Sequence, residues 1–324
     1  MLKGFFYFVL YFCTMQHQQL SLIPLQQVNI DFLEEKHIQL FVLREDLIHP
    51  SISGNKWRKL FYNLQEAKND GKNQLLTFGG AYSNHIAATA AAGKQFGFKT
   101  IGIIRGEEHL PLNPTLQLAV ENGMQLKYIS RSLYKEEKYN TSFLQEMKAE
   151  FGDFYLIPEG GSNAFAVKGC TEIIKNIDID YDVICCACGT GGTITGIIAA
   201  ANETKEIIGF PALKGGEFLK NDIQQLLADY QLQFDIKINS SKWSLITDYH
   251  FGGYAKTNTE LIDFVNDFYQ KQSIPLDLIY TGKMLYGILH LAKTSSKFNG
   301  KKIVAVHTGG LQGNKGFTNI HLKY

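Results

Sequence analysis

Apolar stretches with the spacing of buried strands alternate with stretches that have the spacing of helices along most of the chain. Short runs rich in β-branched and aromatic residues predict strands, and longer runs bounded by glycine or asparagine predict helices. The predicted strands cover residues 41–44, 75–78, 100–104, 126–129, 182–188, 207–210, 278–280 and 302–307. The predicted helices cover residues 55–68, 85–96, 113–122 and 194–201.

This alternation, with continuous apolar strands, is typical of parallel sheets covered by helices on both faces. We therefore predict an α/β fold with two open parallel-sheet, three-layer domains. Residues 59–167 would form a small domain, and residues 15–58 together with 168–324 a large one. Ligands of such sheets bind beyond the carboxyl ends of the strands, and the candidate residues described below mostly follow a predicted strand.

The N-terminal segment has a different character from the rest of the chain. Residues 4–13 are nearly all apolar, but this run is too short to span a bilayer. No small-residue cleavage site follows it, and a second methionine, Met15, begins an ordinary polar stretch. We expect residues 1–14 to be an over-extended or disordered start. A cleaved signal and a membrane-associated extension remain as alternatives.

Composition and charge narrow the range of partners and compartments. Hydrophobic residues make up 45% of the 324 residues, enough for a large core, and 32 basic residues nearly balance 31 acidic ones. No basic stripe is present, so we expect no nucleic-acid partner, and nothing after the N-terminal segment looks transmembrane, so we expect no membrane partner. The odd set of cysteines is a poor disulfide framework and favours a reducing, cytoplasmic location. These cysteines are Cys13, Cys170, Cys185, Cys186 and Cys188.

The cysteines also give no metal signal. Zinc sites favour C-x-x-C pairs, whereas a C-C-x-C run on a strand points to both faces of the sheet. We therefore interpret Cys185, Cys186 and Cys188 as small core residues, and we expect no metal site in this chain.

A glycine-rich turn follows the predicted strand 182–188 and leads into the next helix. Its members are Gly189, Thr190, Gly191, Gly192 and Thr193. Glycines let the backbone approach an anion closely, and the first helical amides point at it, so the turn predicts a phosphate site. A dinucleotide fingerprint would need glycine at Ile194, and a P-loop would need a Gly-Lys-Ser/Thr ending. A tight turn without a ligand remains the alternative.

Two further helix starts carry candidate chemistry. Gly54 and Asn55 place Lys56 in the first turn of a helix, where the helix dipole depresses a lysine pKa and favours a neutral nucleophile. A solvated lysine is the alternative. Ser83 and Asn84, after a Gly-Gly turn, are good N-caps, and the amides that follow them would also bind a carboxylate.

Together these segments resemble the tryptophan-synthase-β-like group, fold type II, of pyridoxal-phosphate enzymes. More narrowly, they are similar to the family of 1-aminocyclopropane-1-carboxylate deaminases and D-cysteine desulfhydrases. The resemblance extends from about residue 44 to about residue 310, and the order of its pieces is highly specific. The pieces lie at residues 44–46, 54–59, 79–85, 157–163, 189–196, 280–283 and 307–310.

The resemblance implies pyridoxal phosphate as cofactor and assigns its contacts. Lys56 would attach the cofactor covalently and take the α-proton of the substrate, while Asn84 would hydrogen-bond the 3′-oxygen of the cofactor. The turn from Gly189 to Thr193 would hold the phosphate, with Lys59 nearby. The resemblance also implies a homodimer.

The resemblance further implies which residues meet the substrate, a small amino acid. Ser83 would contact the substrate carboxylate and act as a second catalytic group. Tyr280 would lie over the substrate as an acid, base or nucleophile, although a buried tyrosine with a satisfied hydroxyl is the alternative. The remaining candidate substrate contacts are Asn84, His85, Ser162 and Tyr254, and for Tyr254 an ordinary loop aromatic is the alternative.

The group at the pyridine nitrogen of the cofactor bears on the reaction. A carboxylate there would keep the nitrogen protonated, whereas a hydroxyl favours prompt β-elimination. Thr281 stands where the deaminases of the family carry glutamate, and Thr308 is a second hydroxyl, a pattern similar to the desulfhydrase branch. Alternatively, Thr281 only packs against its neighbours and the nitrogen has another partner.

We therefore predict β-elimination from D-cysteine, which gives pyruvate, ammonia and sulfide. Ring opening of 1-aminocyclopropane-1-carboxylate to 2-oxobutanoate and ammonia is the first alternative. A serine or threonine dehydratase of the same fold is the second alternative. A protein of a different class, non-catalytic or NAD-binding, would reuse only the glycine turn, and the missing glycine at Ile194 argues against NAD.

Overall fold

The structure is a computed structural model that describes residues 23–238 and 242–324. The expectations for residues 1–14 and for Cys13 lie outside these residues. The strands are β1 Leu25–Val28, β2 Gln39–Leu43, β3 Gln74–Gly80, β4 Lys99–Arg105, β5 Met124–Ile129, β6 Tyr155–Ile157, β7 Val183–Cys188, β8 Glu206–Pro211, β9 Lys242–Leu245 and β10 Lys302–Val306. The helices are α1 Asp31–Glu35, α2 Asn55–Asn69, α3 Asn84–Phe96, α4 Pro114–Glu121, α5 Arg131–Glu137, α6 Thr141–Phe151, α7 Ala164–Thr171, α8 Gly192–Ala200, α9 Leu219–Phe234, α10 Thr259–Gln272 and α11 Thr281–Thr294.

Two open sheets carry the fold, as predicted. One sheet has the strand order β5-β4-β3-β6 and is parallel throughout. The other has the order β1-β2-β10-β7-β8-β9, and its strands are parallel except for β1, which pairs antiparallel with β2. The link from β1 to β2 holds only the short α1 and is shorter than the dozen or so residues that a parallel crossover needs.

Helices cover both faces of each sheet, which confirms the three-layer arrangement. Along β7 the side chains alternate between two cores: Cys185 packs with α10 and α11, whereas Cys186 and Cys188 pack with α8 and α9. The three cysteines are free and buried core residues, as predicted. Among the described residues no cluster of possible metal ligands occurs.

The prediction of a strand at residues 278–280 is wrong. The carboxylate of Asp277 accepts hydrogen bonds from the amides of Ile279, Tyr280 and Thr281, at 2.9, 2.6 and 2.9 Å. These bonds curl the backbone into the start of α11, so the apolar run is the entry to a helix. The strands β1, β6 and β9 were not predicted, because three or four residues of partly exposed strand leave little periodic signal.

The four-stranded sheet draws its strands from within the predicted small domain, and the six-stranded sheet from both segments of the predicted large one. The boundary predicted at residue 58, however, falls inside α2, which is continuous from Asn55 to Asn69. The domain boundaries themselves stay a prediction. In the part of the chain that the structure describes, no helix is both long enough and apolar enough to cross a membrane.

A buried ion network holds α2 beside the end of β2, a strand of the six-stranded sheet. Arg58 is 1% exposed and donates two hydrogen bonds to the carboxylate of Glu45, at 2.9 and 2.8 Å. A third contact joins Arg58 to Glu172 at 3.4 Å. On the other side, α7 approaches α2 so closely that a Cβ on Gly169 would lie 1.9 Å from the carbonyl oxygen of Arg58. The network therefore sets the position of the helix that carries Lys56.

Substitution Glu45→Ala should lower the free energy of unfolding by about 3–5 kcal/mol, because it leaves the buried guanidinium of Arg58 short of its main counter-charge. Urea denaturation measures the loss. As a control, Asp267→Ala removes an exposed ion pair with Lys271 and should cost less than about 1 kcal/mol. Equal losses in the two variants would contradict the importance of the buried network.

Candidate active site

The position of Lys56 depends on a close backbone contact between the start of α2 and the end of β10. Gly54, which caps α2, has φ 62° and ψ −141°, a conformation open essentially only to glycine. A Cβ on Gly54 would lie 2.0 Å from the carbonyl oxygen of Thr308. The amide of Asn55 donates to the same carbonyl at 3.1 Å. Lys56 follows in the first turn of the helix, as predicted.

The surroundings of Lys56 favour the neutral form of its amine, which is the nucleophilic form. Its Nζ donates to the side-chain oxygen of Asn55 at 3.0 Å. Burial, and secondly the positive charge of Lys59, lower the pKa of Lys56 from its ordinary value to about 7. A large fraction of the amine is therefore neutral near neutral pH, which is the form that attacks an aldehyde.

The glycine turn between β7 and α8 lies next to a second buried amine. Gly191 has φ 79° and caps α8 without a side-chain acceptor, so the first amides of the helix are not satisfied by a capping side chain. Nζ of Lys59 lies 2.9 Å from Oγ of Ser162, 3.1 Å from the carbonyl oxygen of Gly160 and 3.4 Å from Oγ1 of Thr190. All three partners of this ammonium group are uncharged.

The glycine turn is also hydrogen-bonded to α2 and lies close to the ring of Tyr280. Nδ2 of Asn55 donates to Oγ1 of Thr193 at 2.8 Å. A Cβ on Gly189 would lie 3.2 Å from the ring of Tyr280, and one on Gly192 would lie 2.7 Å from Oγ of Ser162. Both glycines therefore stand where an ordinary side chain would crowd the site.

The start of α3 supplies Ser83, Asn84 and His85. Oγ of Ser83 accepts hydrogen bonds from the amides of His85 and Ile86, at 3.2 and 3.3 Å, which confirms that it caps the helix. Its own hydroxyl proton is thereby left to point at another acceptor. Nε2 of His85 bonds Oγ1 of Thr77 at 2.7 Å.

The ring of His85 is buried and neutral. The hydroxyl of Thr77 donates to the carbonyl of Ile157 at 2.8 Å, so it accepts from His85 and Nε2 carries the proton. Nδ1 is buried and has no hydrogen-bond partner within the described residues. Burial first, and then the charges of Lys56 and Lys59, hold the pKa of His85 well below its usual range.

Tyr280 lies at the start of α11, and its ring packs edge-on against that of Tyr254, with 6.1 Å between the ring centres. Burial raises the pKa of Tyr280 well above 10, so its hydroxyl stays protonated. The loop that carries Tyr254 is held by Lys283, whose Nζ donates to the carbonyl oxygens of His250 and Gly253, at 2.9 and 2.8 Å.

One cavity of about 1390 Å³ brings most of the predicted residues together. Those that line it are Lys56, Lys59, Ser83, Asn84, His85, Gly189, Thr190, Gly191, Thr193, Tyr254, Tyr280 and Thr308. Ser162 and Gly192 do not line it, although Oγ of Ser162 lies 2.6 Å from Oγ1 of Thr190. Thr281 is fully buried and does not line the cavity, because its hydroxyl donates to Oδ2 of Asp277 at 2.5 Å. Thr308, which carries a hydroxyl and follows the end of β10, does line the cavity.

Sequence reasoning did not identify several residues at this site. Asp277 could have been identified from the sequence, because an aspartate shortly before an apolar helical run is a typical helix-capping residue. Arg105, at the carboxyl end of β4, and Glu159, which follows β6, also line the cavity. Gln312 donates to Oδ1 of Asn84 at 2.8 Å, and no pattern in the sequence indicates this contact.

A family model described as "Pyridoxal-phosphate dependent enzyme" matches residues 16–309. The chain belongs to this family. Its cofactor is therefore pyridoxal phosphate, and the sequence-based assignment to fold type II is confirmed by the similarity of its fold to solved structures of the group.

The similar proteins include both activities expected from the sequence. The bifunctional D-cysteine desulfhydrase/1-aminocyclopropane-1-carboxylate deaminase of Arabidopsis thaliana, a mitochondrial protein, is 30% identical over 85% of this chain and 73% of its own length. The D-cysteine desulfhydrase of Yersinia enterocolitica is 22% identical over 84% of this chain and 86% of its own. A crystal structure of an ACC deaminase homologue superposes with a TM-score of 0.79 and 28% identity, over 92% of each chain.

The residues present fit the cofactor. Lys56 and Lys59 place two buried amines in one cavity, and their hydrogen-bond partners among the described residues are uncharged. The uncapped start of α8 adds amides that favour an anion. A phosphate beside Lys59 and an aldehyde beside Lys56 would supply the missing negative charge and the missing electrophile.

The depressed pKa of Lys56 predicts how the stability of the cofactor-free protein depends on pH. Above about pH 7 the unfolded chain still binds this proton while the folded chain does not, so the free energy of unfolding rises with pH. Lys56→Met removes this contribution. The stability of the variant relative to the wild type should therefore be highest at and below pH 7, and this advantage should shrink by about 2 kcal/mol between pH 7 and pH 9.

Urea denaturation at several pH values measures this gap. The control is Lys293→Met, which removes an exposed charge from the last turn of α11 and should leave the pH dependence unchanged. A gap between wild type and Lys56→Met that stays constant with pH would mean that the amine of Lys56 has an ordinary pKa.

Proposed function

We propose that the protein cleaves D-cysteine by β-elimination, so that D-cysteine and water give pyruvate, ammonia and hydrogen sulfide. The choice of reaction rests on which residues line the cavity near the end of β10. Thr308 lines it, whereas Thr281 and the carboxylate of Asp277 are bonded to each other and do not reach the cavity. A hydroxyl near the pyridine nitrogen favours elimination, and Thr308 is our candidate for that contact.

The chain's own residues account for the proton transfers that this reaction needs. The bound cofactor supplies an electron sink that weakens the bonds at the α-carbon of the substrate. Lys56 would hold the cofactor, and its free amine, with a pKa of about 7, is suited to taking the α-proton near neutral pH. The free hydroxyl proton of Ser83 is available to the substrate carboxylate.

Tyr280 is suited to assist the departing sulfur. Its hydroxyl stays protonated because burial raises its pKa well above the ordinary value, and the ring of Tyr254 packs edge-on against its ring. A hydrogen bond donated by this hydroxyl to the departing hydrosulfide ion would stabilise its negative charge. The role needs a residue of the cavity wall, and Tyr280 and Tyr254 both line the cavity.

A second candidate function is ring opening of 1-aminocyclopropane-1-carboxylate to 2-oxobutanoate and ammonia, a reaction classed with the hydrolases. The names of the plant relative and of the matching crystal structure favour it. It would use the same amine and the same tyrosine, so the two activities differ in what the pocket accepts and not in the position of the cofactor.

Purified, fully cofactor-loaded protein should produce pyruvate from D-cysteine faster than from L-cysteine, L-serine or L-threonine. 2-Oxobutanoate from 1-aminocyclopropane-1-carboxylate is measured on the same preparation. Lys56→Ala should abolish product formation from every substrate, because no other residue takes over the covalent attachment of the cofactor. The proposal is rejected if the loaded wild type forms no pyruvate from D-cysteine.

The two threonines give a matched comparison. Thr308→Val should lower kcat with D-cysteine by about tenfold, the loss of roughly one hydrogen bond, with little change in stability. Thr281→Val should instead lower the free energy of unfolding by about 1–3 kcal/mol, because it removes a donor to the buried Asp277. Steady-state kinetics and urea denaturation of both variants test this, and the reverse pattern would contradict the assignment.

We also propose a cytoplasmic homodimer. The four cysteines within the described residues are free thiols, which supports a reducing compartment. The dimer rests on the family resemblance alone, and light scattering coupled to size-exclusion chromatography tests it.

A further inference from the structure

The neighbours of Asn84 fix the orientation of its side-chain amide. Nδ2 of Asn84 faces the carbonyl oxygen of Gly310 at 3.5 Å. A carbonyl oxygen only accepts, so the atom facing it must be the amide nitrogen. Gly310 permits this approach, because a Cβ there would lie 2.9 Å from Nδ2. Oδ1 of Asn84 therefore points the other way, where it accepts from Nε2 of Gln312 at 2.8 Å.

This orientation leaves a hydrogen-bond donor for the cavity. An amide nitrogen carries two hydrogens, and the long contact with Gly310 is the one that Nδ2 makes within the described residues. Asn84 and Lys56 line the same cavity. In pyridoxal phosphate the 3-oxygen is on the ring carbon next to the one that bears the aldehyde, and it carries negative charge, so it favours a hydrogen-bond donor and is repelled by an acceptor.

We propose that Gln312 is a positioning residue, which holds the amide of Asn84 so that its NH₂ group and not its oxygen faces the 3-oxygen of the cofactor. The inference rests on the proposed function, because it needs the cofactor on Lys56. The two ends of an asparagine amide are nearly the same size, so packing alone does not choose between them. The carbonyl oxygen of Gly310, which only accepts, sets the direction of the amide, and because that contact is long at 3.5 Å, the 2.8 Å hydrogen bond from Gln312 is needed to hold it.

Other charges near Asn84 stay in place when Gln312 is changed. Asp277, whose carboxylate would lie 3.7 Å from a Cβ on Gly310, is bound to three amides of the α11 entry and is buried. Lys56 and Lys59 keep their uncharged partners. Gln312 itself lines the cavity, so a change of the cofactor seen in Gln312→Glu alone reports on the new charge, whereas a change that Gln312→Met shares reports on the amide of Asn84.

Gln312→Glu is the sharpest test, because a carboxylate of the same size can only accept. It would attract Nδ2 of Asn84 and turn Oδ1 toward the cofactor. Gln312→Met removes the contact without imposing the reverse one. Gln95→Glu is the matched control, since Gln95 lines the same cavity but lies at the far end of α3, about 16 Å from Asn84 along the helix.

The readouts are the visible absorption of the bound cofactor and its dissociation constant, measured with pyridoxal phosphate itself. In Gln312→Glu we expect cofactor affinity to fall by about tenfold or more, because a donor to a charged oxygen is replaced by an acceptor. The cofactor-linked nitrogen of Lys56 should also keep its proton to higher pH, since the 3-oxygen beside it becomes more basic. Gln312→Met should show smaller changes of the same sign, and Gln95→Glu neither change.

The inference is overturned if Gln312→Glu has the spectrum and cofactor affinity of the wild type, or if Gln95→Glu changes both equally. Should Gln312→Glu fail to fold, Gln312→Met decides by the same criteria. Failure of the proposed function looks different: the visible band of the wild type would then persist in Lys56→Ala. A band that depends on Lys56 but does not respond to Gln312 rejects this inference alone.

Discussion

The contact between Gly54 and Thr308 is the constraint on which the site depends. It joins the first turn of α2 to the carboxyl end of the central strand β10, with no side chain between the two backbones. Lys56 therefore reaches the cavity from the rigid end of a helix whose other anchor is the buried pair of Arg58 and Glu45. An amine held in this way loses its proton more easily because burial and Lys59 disfavour its charge.

The rest of the cavity is built from the ends of parallel strands, each followed by a helix. The turn after β7 and the start of α3 present amides and hydroxyls, and the entry to α11 presents Tyr280. Positive charge therefore collects where a phosphate and a carboxylate would bind, and polar donors would surround the reacting part of a bound cofactor. This division suits a cofactor that performs the electronic work while the protein supplies orientation and proton transfer.

The sequence was most informative where local chemistry leaves a pattern. The glycine turn before Thr193, the cap at Ser83 and the position of Lys56 in a first helical turn follow from residue types at short spacing, and the structure places them in one cavity. Sequence reasoning failed where the deciding partner is not part of a periodic pattern. The carboxylate of Asp277 bonds the amides of an apolar run, which therefore begins a helix, and it also accepts the hydroxyl proton of Thr281. Hydrophobic spacing encodes neither of these hydrogen bonds.

Long-range partners were the least predictable. Gln312 contacts Asn84 across 228 positions of the chain, and nothing in its neighbourhood marks it. The most direct test of the whole account is therefore the covalent attachment itself. Borohydride reduction of the cofactor-loaded protein, followed by peptide mass spectrometry, should find the pyridoxyl group on Lys56, in about one copy per chain. Attachment to Lys59 or Lys283 instead, or no attachment at all, would contradict it.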